Sequence, residues 1–411
     1  MKSDRAMVIV GAGEAGTAAA VALRENGWTG PVALIGNETS FPYERPPLSK
    51  SVLIEDEVPA PKFLIASERL VELAIDYHQG HFVDAIDRAS RTVTLSGGKS
   101  LAYERMLMAT GARPRALNVP IGKGCKLASL RTYTDALAIR TAIKPGSKVV
   151  IIGGGFIGLE VAASAVSKGA NVAVLEAGPR LLMRAVPAGI AERIRAKHEN
   201  AGVCVKVSSA VVGVEPAEGR SSVVLADGQR HLADLVLVGV GATPNTELAQ
   251  AAGLAIDNGI ATQETLATSD PDIFAAGDCC SFVHGLYGKR IRLEVWRNAW
   301  QQGAAAAANM LGANTPYQHV PWFWSEQYDE TLQIAGICSD GNTPICRDLS
   351  EKGQIHFYVA DDGHVVAACG FGSLSAIAKE IRVSEAMIAK RLAPSASALA
   401  DAAIALKSLM V

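Results

Sequence analysis

Met7-Val-Ile-Val-Gly11-Ala-Gly13-Glu-Ala-Gly16 is the stretch that decides the fold of this chain. Its four apolar residues predict a buried parallel strand, and the GxGxxG spacing that follows predicts a tight turn into a helix. The first glycine allows the turn, the second lets a ligand approach the backbone, and the third lets the helix pack closely on the strand. The free N–H groups at the start of such a helix bind a pyrophosphate. The stretch therefore predicts a dinucleotide-binding fold.

A second copy of the pattern, Val149-Val-Ile-Ile-Gly153-Gly-Gly155-Phe-Ile-Gly158, lies further along the chain. It also opens into a run of small residues, Val161 to Val166, which is typical of a helix packed closely on a sheet. Two such turns predict that one chain binds two dinucleotides. The simplest chemistry that requires both is electron transfer from a nicotinamide to a flavin.

The composition is that of a compact globular protein. The chain has 411 residues, of which 49% are hydrophobic and 19% are charged, enough for about three domains of roughly 150 residues each. Its net charge of −2 predicts no bulk attraction to nucleic acid or to an anionic membrane. The apolar stretch 6–23 contains Glu14 and three glycines, which argues against a signal peptide or a membrane helix. The seven cysteines show no metal-binding spacing, so we expect reduced core thiols, no metal and a cytoplasmic protein.

Polar residues after the second strand of each repeat are candidates for binding ribose hydroxyls. After the first repeat, Asn37 is the better candidate by position and Glu38 by charge, and the sequence leaves both open. After the second repeat, Glu176 lies ~20 residues beyond the glycines, where a carboxylate accepts both ribose hydroxyls and repels a 2′-phosphate. This predicts NADH over NADPH, although Arg180 and Arg184 are close in sequence.

The segment Phe41-Pro-Tyr-Glu-Arg-Pro-Pro-Leu-Ser49-Lys50 is informative because it contains no cysteine. Flavoproteins that reduce disulfides carry a redox-active cysteine at this point of the chain. Here two prolines fix the backbone ahead of Ser49 and Lys50, so we expect a cation rather than a thiol beside the flavin. Glu160 follows the second turn among apolar neighbours, and we expect it to be buried with Lys50 as its partner.

Eight motifs occur in an order that resembles a known family. They are GAGEAG (11–16), RPPLSK (45–50), ATGARPR (109–115), LRTYTDA (130–136), GGGFIGLE (153–160), GATPN (241–245), AAGDC (275–279) and PWFWSEQ (321–327). Over essentially the whole chain they resemble the FAD-dependent, NADH-using ferredoxin reductases of the glutathione-reductase superfamily, of the putidaredoxin reductase and biphenyl dioxygenase ferredoxin reductase type. RPPLSK together with PWFWSEQ is specific to that family, whereas the glycine motifs occur in many flavoproteins.

The resemblance implies an α/β fold class, with two Rossmann-like, glutathione-reductase-like dinucleotide-binding domains and a small α+β C-terminal domain. The implied FAD-binding domain is discontinuous and comprises residues 1–114 and 245–320. Residues 115–244 are then the NAD-binding domain, and residues 321–411 are the C-terminal domain. The implied reaction is hydride transfer from NADH to FAD and single-electron transfer to a 2Fe-2S ferredoxin that serves a Rieske oxygenase or a cytochrome P450.

The motifs and the resemblance together assign candidate site residues. The candidates for FAD binding are Gly11, Gly13, Ala15, Gly16, Asn37, Glu38, Arg45, Lys50, Val83, Ala109, Thr110, Gly111, Arg131, Gly277, Asp278, Trp296 and Trp324. The candidates for NAD binding are Gly153, Gly155, Phe156, Ile157, Gly158, Glu160, Glu176 and Gly241. Lys50 and Glu160 are the candidate catalytic residues. By resemblance they lie near the nicotinamide and the flavin edge, where Lys50 stabilises reduced flavin and Glu160 positions both Lys50 and the carboxamide.

Five candidates receive a more specific role from the resemblance. The backbone at Val83 meets the adenine, Arg131 contacts FAD, and Asp278 accepts hydrogen bonds from the ribityl hydroxyls. The backbone N–H of Trp296 lies at the flavin pyrimidine. Trp324 lies near the isoalloxazine and the ferredoxin.

A basic cluster close to Trp296 in the sequence is a candidate docking surface for an acidic ferredoxin. It consists of Lys289, Arg290, Arg292 and Arg297. Long-range attraction by such a cluster accelerates association. A solvated run of charges is an equally good interpretation. The adjacent Cys279 and Cys280 are expected to be core thiols, because a disulfide between neighbouring residues is strained.

Three other classes of flavoprotein share the two nucleotide motifs and stay open. A monodehydroascorbate-reductase-like enzyme or an NADH oxidase is one, although an oxidase requires a cysteine near Phe41. A rubredoxin reductase is not distinguished by residues alone. A redox-sensing interaction protein that resembles apoptosis-inducing factor is the third, and it predicts slow turnover and poor electron delivery to ferredoxin.

Overall fold

The structure is a computed structural model that describes residues 5–183, 185–340 and 344–410. The chain divides into two compact units. The first unit comprises Met1–Glu44, Pro61–Arg113 and Thr243–His319, and the second comprises Arg45–Ala60, Pro114–Ala242 and Val320–Val411. Each unit contains one of the two glycine turns. The division into three domains at the boundaries given above stays a prediction.

A sheet of seven strands forms the centre of the first unit. Its central strand, Ala6–Val10, pairs in parallel with Val32–Gly36 on one side and with Ser100–Met108 on the other. Residues 7–10 are all buried, which a parallel strand with both faces covered requires and which explains the unbroken apolar run. Ile75–Gln79 extends the parallel part, and Thr92–Leu95 and Val83–Asp87 extend the other edge in antiparallel fashion.

The first unit also contains the seventh strand of this sheet, a second sheet and several helices. Ile273–Ala275 pairs in parallel with Ser100–Met108. A second sheet contains Ile260–Thr262, Cys280–His284 and Lys289–Arg292. The α-helices are Glu14–Glu25, Ser67–Glu72, Glu247–Ala251 and Trp296–Met310, and Gly277–Cys279 is a 3₁₀ helix.

A parallel sheet of five strands lies in the second unit. Its strand order is Cys204–Lys206, Asn171–Leu175, Lys148–Ile152, Leu235–Val238 and Leu127–Ala128. A separate antiparallel sheet contains Val211–Ala217, Arg220–Leu225 and Arg230–Ala233. The helices of this part are Tyr133–Ala142, Phe156–Ser167 and Ala188–Asn200, and residues 45–60 contribute the 3₁₀ helix Pro46–Ser49 and the helix Ser51–Ile54. The short strands Ala112–Pro114 and Ala242–Pro244 include two of the five points at which the chain passes from one unit to the other.

The C-terminal part of the second unit is an antiparallel sheet of five strands covered by a helix. The strand order is Trp322–Gln327, Glu330–Gly336, Val365–Gly372, Gly353–Val359 and Ile345–Asp348. The helix Leu374–Ala389 packs on it where Gly370 leaves room for Ile377 and Ile381. The sequence pattern predicts the three central strands, but it does not predict the two outer ones.

The last helix is shorter than the apolar spacing predicts. The pattern predicts a helix over 396–409, whereas the structure has the helix Ala396–Ala400 and a 3₁₀ helix Leu406–Leu409. The Arg347 guanidinium accounts for the break, because it binds the carbonyls of Leu399, Asp401 and Ile404 at 2.6–3.2 Å. A helix continued through these residues would use some of these carbonyls itself.

Two absences concern the described residues as a whole. None of the helices formed by residues 5–183, 185–340 and 344–410 combines the length and the apolar character that a membrane span needs. Within the same residues, no three His, Cys, Asp or Glu side chains are grouped so that they could hold a metal ion.

Candidate functional site

The first glycine turn leaves the start of a helix open. Gly11 has a φ of +110°, and a Cβ there would lie 2.1 Å from the carbonyl oxygen of Ala109, so only glycine fits. A Cβ at Gly16 would lie 1.8 Å from the oxygen of Gly11. Gly13 precedes the helix Glu14–Glu25, and no side chain caps that helix. Nothing lies within 4 Å of a Cβ placed at Gly13, so the start of the helix is open to a ligand such as a diphosphate.

The second glycine turn repeats this geometry. Gly153 has a φ of +107°, and a Cβ there would lie 2.4 Å from the carbonyl oxygen of Gly239. A Cβ at Gly158 would lie 2.5 Å from the oxygen of Gly153. Gly155 precedes the helix Phe156–Ser167, which again has no side-chain cap. Ile157 in its first turn is 46% exposed, as expected of a residue at a ligand-binding helix terminus.

Glu176, which follows the neighbouring strand Asn171–Leu175, binds the backbone of the second turn. Its two carboxylate oxygens accept hydrogen bonds from the backbone N–H of Gly154 at 2.7 Å and of Gly178 at 2.6 Å. The guanidinium of Arg180 is occupied, because it donates to the carbonyls of Leu181, Met183 and Val186 at 2.8–3.3 Å. Arg184 lies outside the described residues.

The corresponding residues after the first turn are arranged differently. Asn37 is exposed and Glu38 is half-buried. The hydroxyl of Tyr43 donates a hydrogen bond to the Glu38 carboxylate. Burial, together with the charge of Glu38, raises the pKa of Tyr77 to about 12. Both ribose candidates follow Gly36, where a Cβ would lie 2.8 Å from the Cβ of Ala12 in the first turn.

The other candidates of the first unit lie at two strand ends and one helix start. The side chain of Thr110 donates to the backbone oxygen of Asn245 at 2.7 Å, and the amide of Asn245 donates to the backbone oxygen of Thr110 at 2.8 Å. Gly111 accepts from the backbone N–H of Asn245 at 2.9 Å. Ala109 is buried, and Val83 begins the strand Val83–Asp87.

Gly277 brings the end of a strand close to the first turn. It has a φ of +79°, and a Cβ there would lie 3.1 Å from the Cβ of Ala15. Its N–H donates to Gln302 at 2.9 Å. Asp278 follows it in the same 3₁₀ helix, and Trp296 is the first residue of the helix Trp296–Met310. A polar ligand suits this region.

Unpaired polar atoms support that interpretation of the first unit. The atoms Glu14 Oε2, Asn298 Nδ2 and Gln302 Nε2 are buried and have no hydrogen-bond partner among the described residues. Burial of such atoms is costly when no partner is present. FAD, which is rich in hydrogen-bonding groups, fits this arrangement. Glu14 was not a sequence candidate, because its position between the glycines carries no residue-type signal.

Four candidates for FAD binding belong to the second unit: Arg45, Lys50, Arg131 and Trp324. The guanidinium of Arg45 donates to the backbone oxygen of Arg131 at 2.5 Å. The backbone N–H of Arg131 donates to Asp135, whose carboxylate also accepts from the backbone N–H of Thr132, the residue that caps the helix Tyr133–Ala142. The ring of Trp324 stacks on that of Trp322, with centroids 5.5 Å apart.

Glu160 is the centre of a buried polar cluster in the second unit. The Nζ atom of Lys50 lies 2.8 Å from its Oε2 atom. The hydroxyl of Ser49 donates to the same oxygen at 2.5 Å, and the hydroxyl of Ser325 donates to Oε1 at 2.6 Å. The Glu160 side chain is only 5% exposed, so three donors replace the water that the carboxylate loses. Lys50 is the partner expected from the sequence, whereas Ser325 was missed although it lies in PWFWSEQ.

The backbone around Lys50 is fixed by neighbouring elements. Pro46 and Pro47 open the 3₁₀ helix Pro46–Ser49, and Lys50 follows with a φ of −122° and a ψ of −106°. The hydroxyl of Ser164 donates to the backbone oxygen of Ser49 at 2.7 Å. The two prolines and this bond hold Lys50 against the helix that carries Glu160.

The basic cluster is partly neutralised in the structure. The guanidinium of Arg292 lies 2.6 Å from Glu294, and that of Arg290 lies 3.5 Å from Asp257. Arg290 also donates to the backbone oxygen of Ser281. Ion pairs of this kind weaken the long-range field that steers a partner.

The neighbouring cysteines are core residues. Cys279 and Cys280 are buried and free. Burial raises the pKa of both thiols. A thiol that stays protonated is a poor nucleophile.

Comparison with known proteins places the chain in a family. Residues 5–303 match the family of pyridine nucleotide-disulphide oxidoreductases. The chain belongs to this family. Residues 322–410 of this oxidoreductase match a second family, the reductase C-terminal domain. The family inferred from the motifs and the α/β fold class are thus confirmed, as is an FAD-dependent oxidoreductase that uses a nicotinamide dinucleotide.

Three relatives show how far the similarity extends. The oxidoreductase is 38% identical over 404 residues, 98% of each chain, to the ferredoxin–NAD(+) reductase component of the anthranilate 1,2-dioxygenase system of Burkholderia cepacia. It is 38% identical over 88% of its length, and 87% of the relative's, to putidaredoxin reductase of Pseudomonas putida. It superimposes with a TM-score of 0.93 and 36% identity on the reductase in a covalent putidaredoxin reductase–putidaredoxin complex, over 100% and 99% of the two chains.

Proposed function

We propose that the chain is an NADH:ferredoxin oxidoreductase that reduces a 2Fe-2S ferredoxin serving a Rieske oxygenase or a cytochrome P450. The observation that carries this proposal is the 38% identity with a ferredoxin–NAD(+) reductase component over 98% of both chains. The two open helix starts supply binding sites for two dinucleotides. When bound, FAD accepts two electrons as a hydride and releases them one at a time.

The positions of the individual residues support the following proposed roles. The first glycine turn binds the diphosphate of FAD, and the second binds that of NADH. Glu176 orients the adenosine ribose of NADH. The proposed role of Lys50 is to stabilise the negative charge of reduced flavin, and that of Glu160 is to hold Lys50 and the nicotinamide carboxamide. The FAD-binding, NAD-binding and C-terminal domains predicted from the sequence belong to the same proposal, as does a cytoplasmic location.

The preference for NADH is supported by two contacts. The carboxylate of Glu176 lies at the second glycine turn, where it repels a 2′-phosphate. Arg180 lies close by, but its guanidinium binds three backbone carbonyls. A guanidinium engaged in this way has fewer N–H groups left to bind a 2′-phosphate.

The test is electron delivery to defined acceptors. Purified protein with bound FAD is given NADH and cytochrome c, with no carrier, with a dioxygenase-type 2Fe-2S ferredoxin, with a P450-type 2Fe-2S ferredoxin, or with a rubredoxin. We expect at least one ferredoxin to raise the rate of cytochrome c reduction well above the rate without a carrier. Stimulation by rubredoxin alone would favour a rubredoxin reductase. Slow turnover with every carrier would favour a redox-sensing protein.

A further inference from the structure

A chain of hydrogen bonds extends from Glu160 through the interior of the second unit. Ser325 Oγ donates to Glu160 at 2.6 Å, and Gln327 Nε2 lies 3.2 Å from Ser325 Oγ. Gln327 Oε1 lies 2.8 Å from Nε2 of His198, whose Nδ1 lies 2.9 Å from the hydroxyl of Tyr328. The chain thus joins the helices that carry Glu160 and His198 through the first strand of the C-terminal sheet.

The direction of every bond in this chain is set by the carboxylate at its end. A carboxylate only accepts, so the single hydroxyl hydrogen of Ser325 is used on Glu160 and Ser325 must accept from Gln327. The amide of Gln327 therefore presents its oxygen to His198, which must carry its proton on Nε2. The bare Nδ1 then accepts from the hydroxyl of Tyr328. One arrangement of hydrogens makes all four bonds.

The inner residues of this chain of hydrogen bonds are shielded from solvent. Ser325, Gln327 and His198 are at most 3% exposed. Burial lowers the pKa of His198, and its bond to Gln327 opposes this only in part. A neutral imidazole has one donor and one acceptor, which is the arrangement that the direction of the bonds demands. A fully satisfied buried network fixes its members in one geometry.

We infer that His198 is a positioning residue: by orienting Gln327 and Ser325, it holds the carboxylate of Glu160 in the position from which it binds Lys50. This inference rests on the proposed role of Glu160 and Lys50 in hydride transfer. His198 touches neither of them directly. Without its donor, the Gln327 amide is free to turn, and Ser325 loses the bond that fixes its hydroxyl.

The test compares substitutions of equal shape. Glutamine and methionine have similar size, but only glutamine can donate from a position close to that of the histidine Nε2. We expect His198→Met to lower the rate of flavin reduction by saturating NADH about tenfold, with the dissociation constant for NADH changed less than about twofold. His198→Gln is expected to restore most of the rate. Gln327→Met should slow the reaction as His198→Met does.

A matched control lies in the same unit. His356 is also a buried histidine, it also has a pKa lowered by burial, and it lies outside the chain of hydrogen bonds. His356→Met should leave the rate of flavin reduction within about twofold of the parent rate. FAD content and the thermal unfolding midpoint are measured for each variant, and Gln327→Met decides the matter if His198→Met does not fold.

Two results would overturn the inference. One is a His198→Met rate within twofold of the parent protein, and the other is an equal loss in His198→Gln, which would show that only volume matters. Failure of the proposed function is recognised separately with Glu160→Gln and Lys50→Ala. If both of these reduce flavin at the parent rate, the role of the pair is wrong. If Glu160→Gln and Lys50→Ala are slow while His198→Met is fast, the proposed role of the pair is supported and the positioning role of His198 is wrong.

Discussion

The two glycine turns share one backbone geometry but differ in the side chains around it. Gly11 and Gly153 have φ values of +110° and +107°, and each leaves no room for a Cβ beside the end of a neighbouring strand. Each turn opens a helix without a side-chain cap. The backbone is therefore the shared part of the two dinucleotide sites.

The first residue of each helix is where the turns diverge. It is Glu14 in the first unit and Phe156 in the second, where its ring packs on Phe323 with centroids 4.3 Å apart. The strand-end carboxylates also differ. Glu176 binds the backbone of its own turn, whereas Glu38 binds the hydroxyl of Tyr43. We therefore expect backbone geometry to select a dinucleotide and these side chains to select which one.

The largest expected effect comes from breaking the shared geometry. Gly11→Ala places a methyl group 2.1 Å from a carbonyl oxygen at a φ of +110°, and we expect a loss of more than about 3 kcal/mol of folding free energy or loss of FAD. Gly153→Ala, whose Cβ would lie 2.4 Å from the oxygen of Gly239 at a φ of +107°, should also lose folding free energy. Any protein that still folds should stay yellow but should no longer be reduced by NADH. Absorbance spectra of the purified variants distinguish these results.

The matched controls are the second glycine of each turn. A Cβ at Gly13 has nothing within 4 Å, and one at Gly155 lies 3.8 Å from its nearest neighbour. Gly13→Ala and Gly155→Ala should therefore fold with parent-like thermal stability and should weaken only the binding of the dinucleotide. If Gly11→Ala and Gly13→Ala lost the same thermal stability, the close backbone contact at Gly11 would not be the cause of the loss.

A smaller effect is expected at the strand-end carboxylates. Glu176→Gln keeps the shape of the side chain but removes the charge that repels a 2′-phosphate. We expect the preference for NADH over NADPH, measured as the ratio of kcat/KM values, to fall about tenfold. Glu38→Gln, the corresponding change in the first unit, should leave that ratio unchanged. A changed ratio in Glu38→Gln and an unchanged ratio in Glu176→Gln would reverse the assignment of the two sites.

The sequence predicts the backbone of both sites better than their side chains. Glycine spacing and apolar runs reflect local steric rules, so both turns and their strands follow from Gly11, Gly153 and their neighbours. The bond from Ser325 to Glu160 joins residues 165 positions apart, and no local pattern encodes such a distance. Lys50 was predictable as a partner only because a buried acid needs a cation.

A further expected effect concerns the acid that distinguishes the first turn. Burial, with a further contribution from the charge of Glu44, raises the pKa of Glu14 from 4.5 to about 7, while Trp296 and Lys62 oppose the shift. The folded protein therefore keeps a proton that the unfolded chain loses. Stability from this source is complete below about pH 4.5 and is lost as the pH rises to about 7. The loss amounts to at most about 3 kcal/mol.

Glu14→Gln tests this difference, because an amide occupies the same space without titrating. We expect the variant and the parent protein to unfold alike near pH 5 and the variant to be the more stable above pH 7, as measured by urea unfolding of the FAD-bound protein at several pH values. Glu25→Gln, at the exposed end of the same helix, should have the stability of the parent protein at every pH.

In addition, FAD release should increase above pH 7 in the parent but not in Glu14→Gln, since a carboxylate repels a diphosphate. NADH binding should show no such step, because Phe156 carries no proton to lose. If the difference in stability between Glu14→Gln and the parent protein were the same from pH 5 to pH 8, Glu14 would not titrate in this range. The two glycine turns would then not differ in a titrating charge.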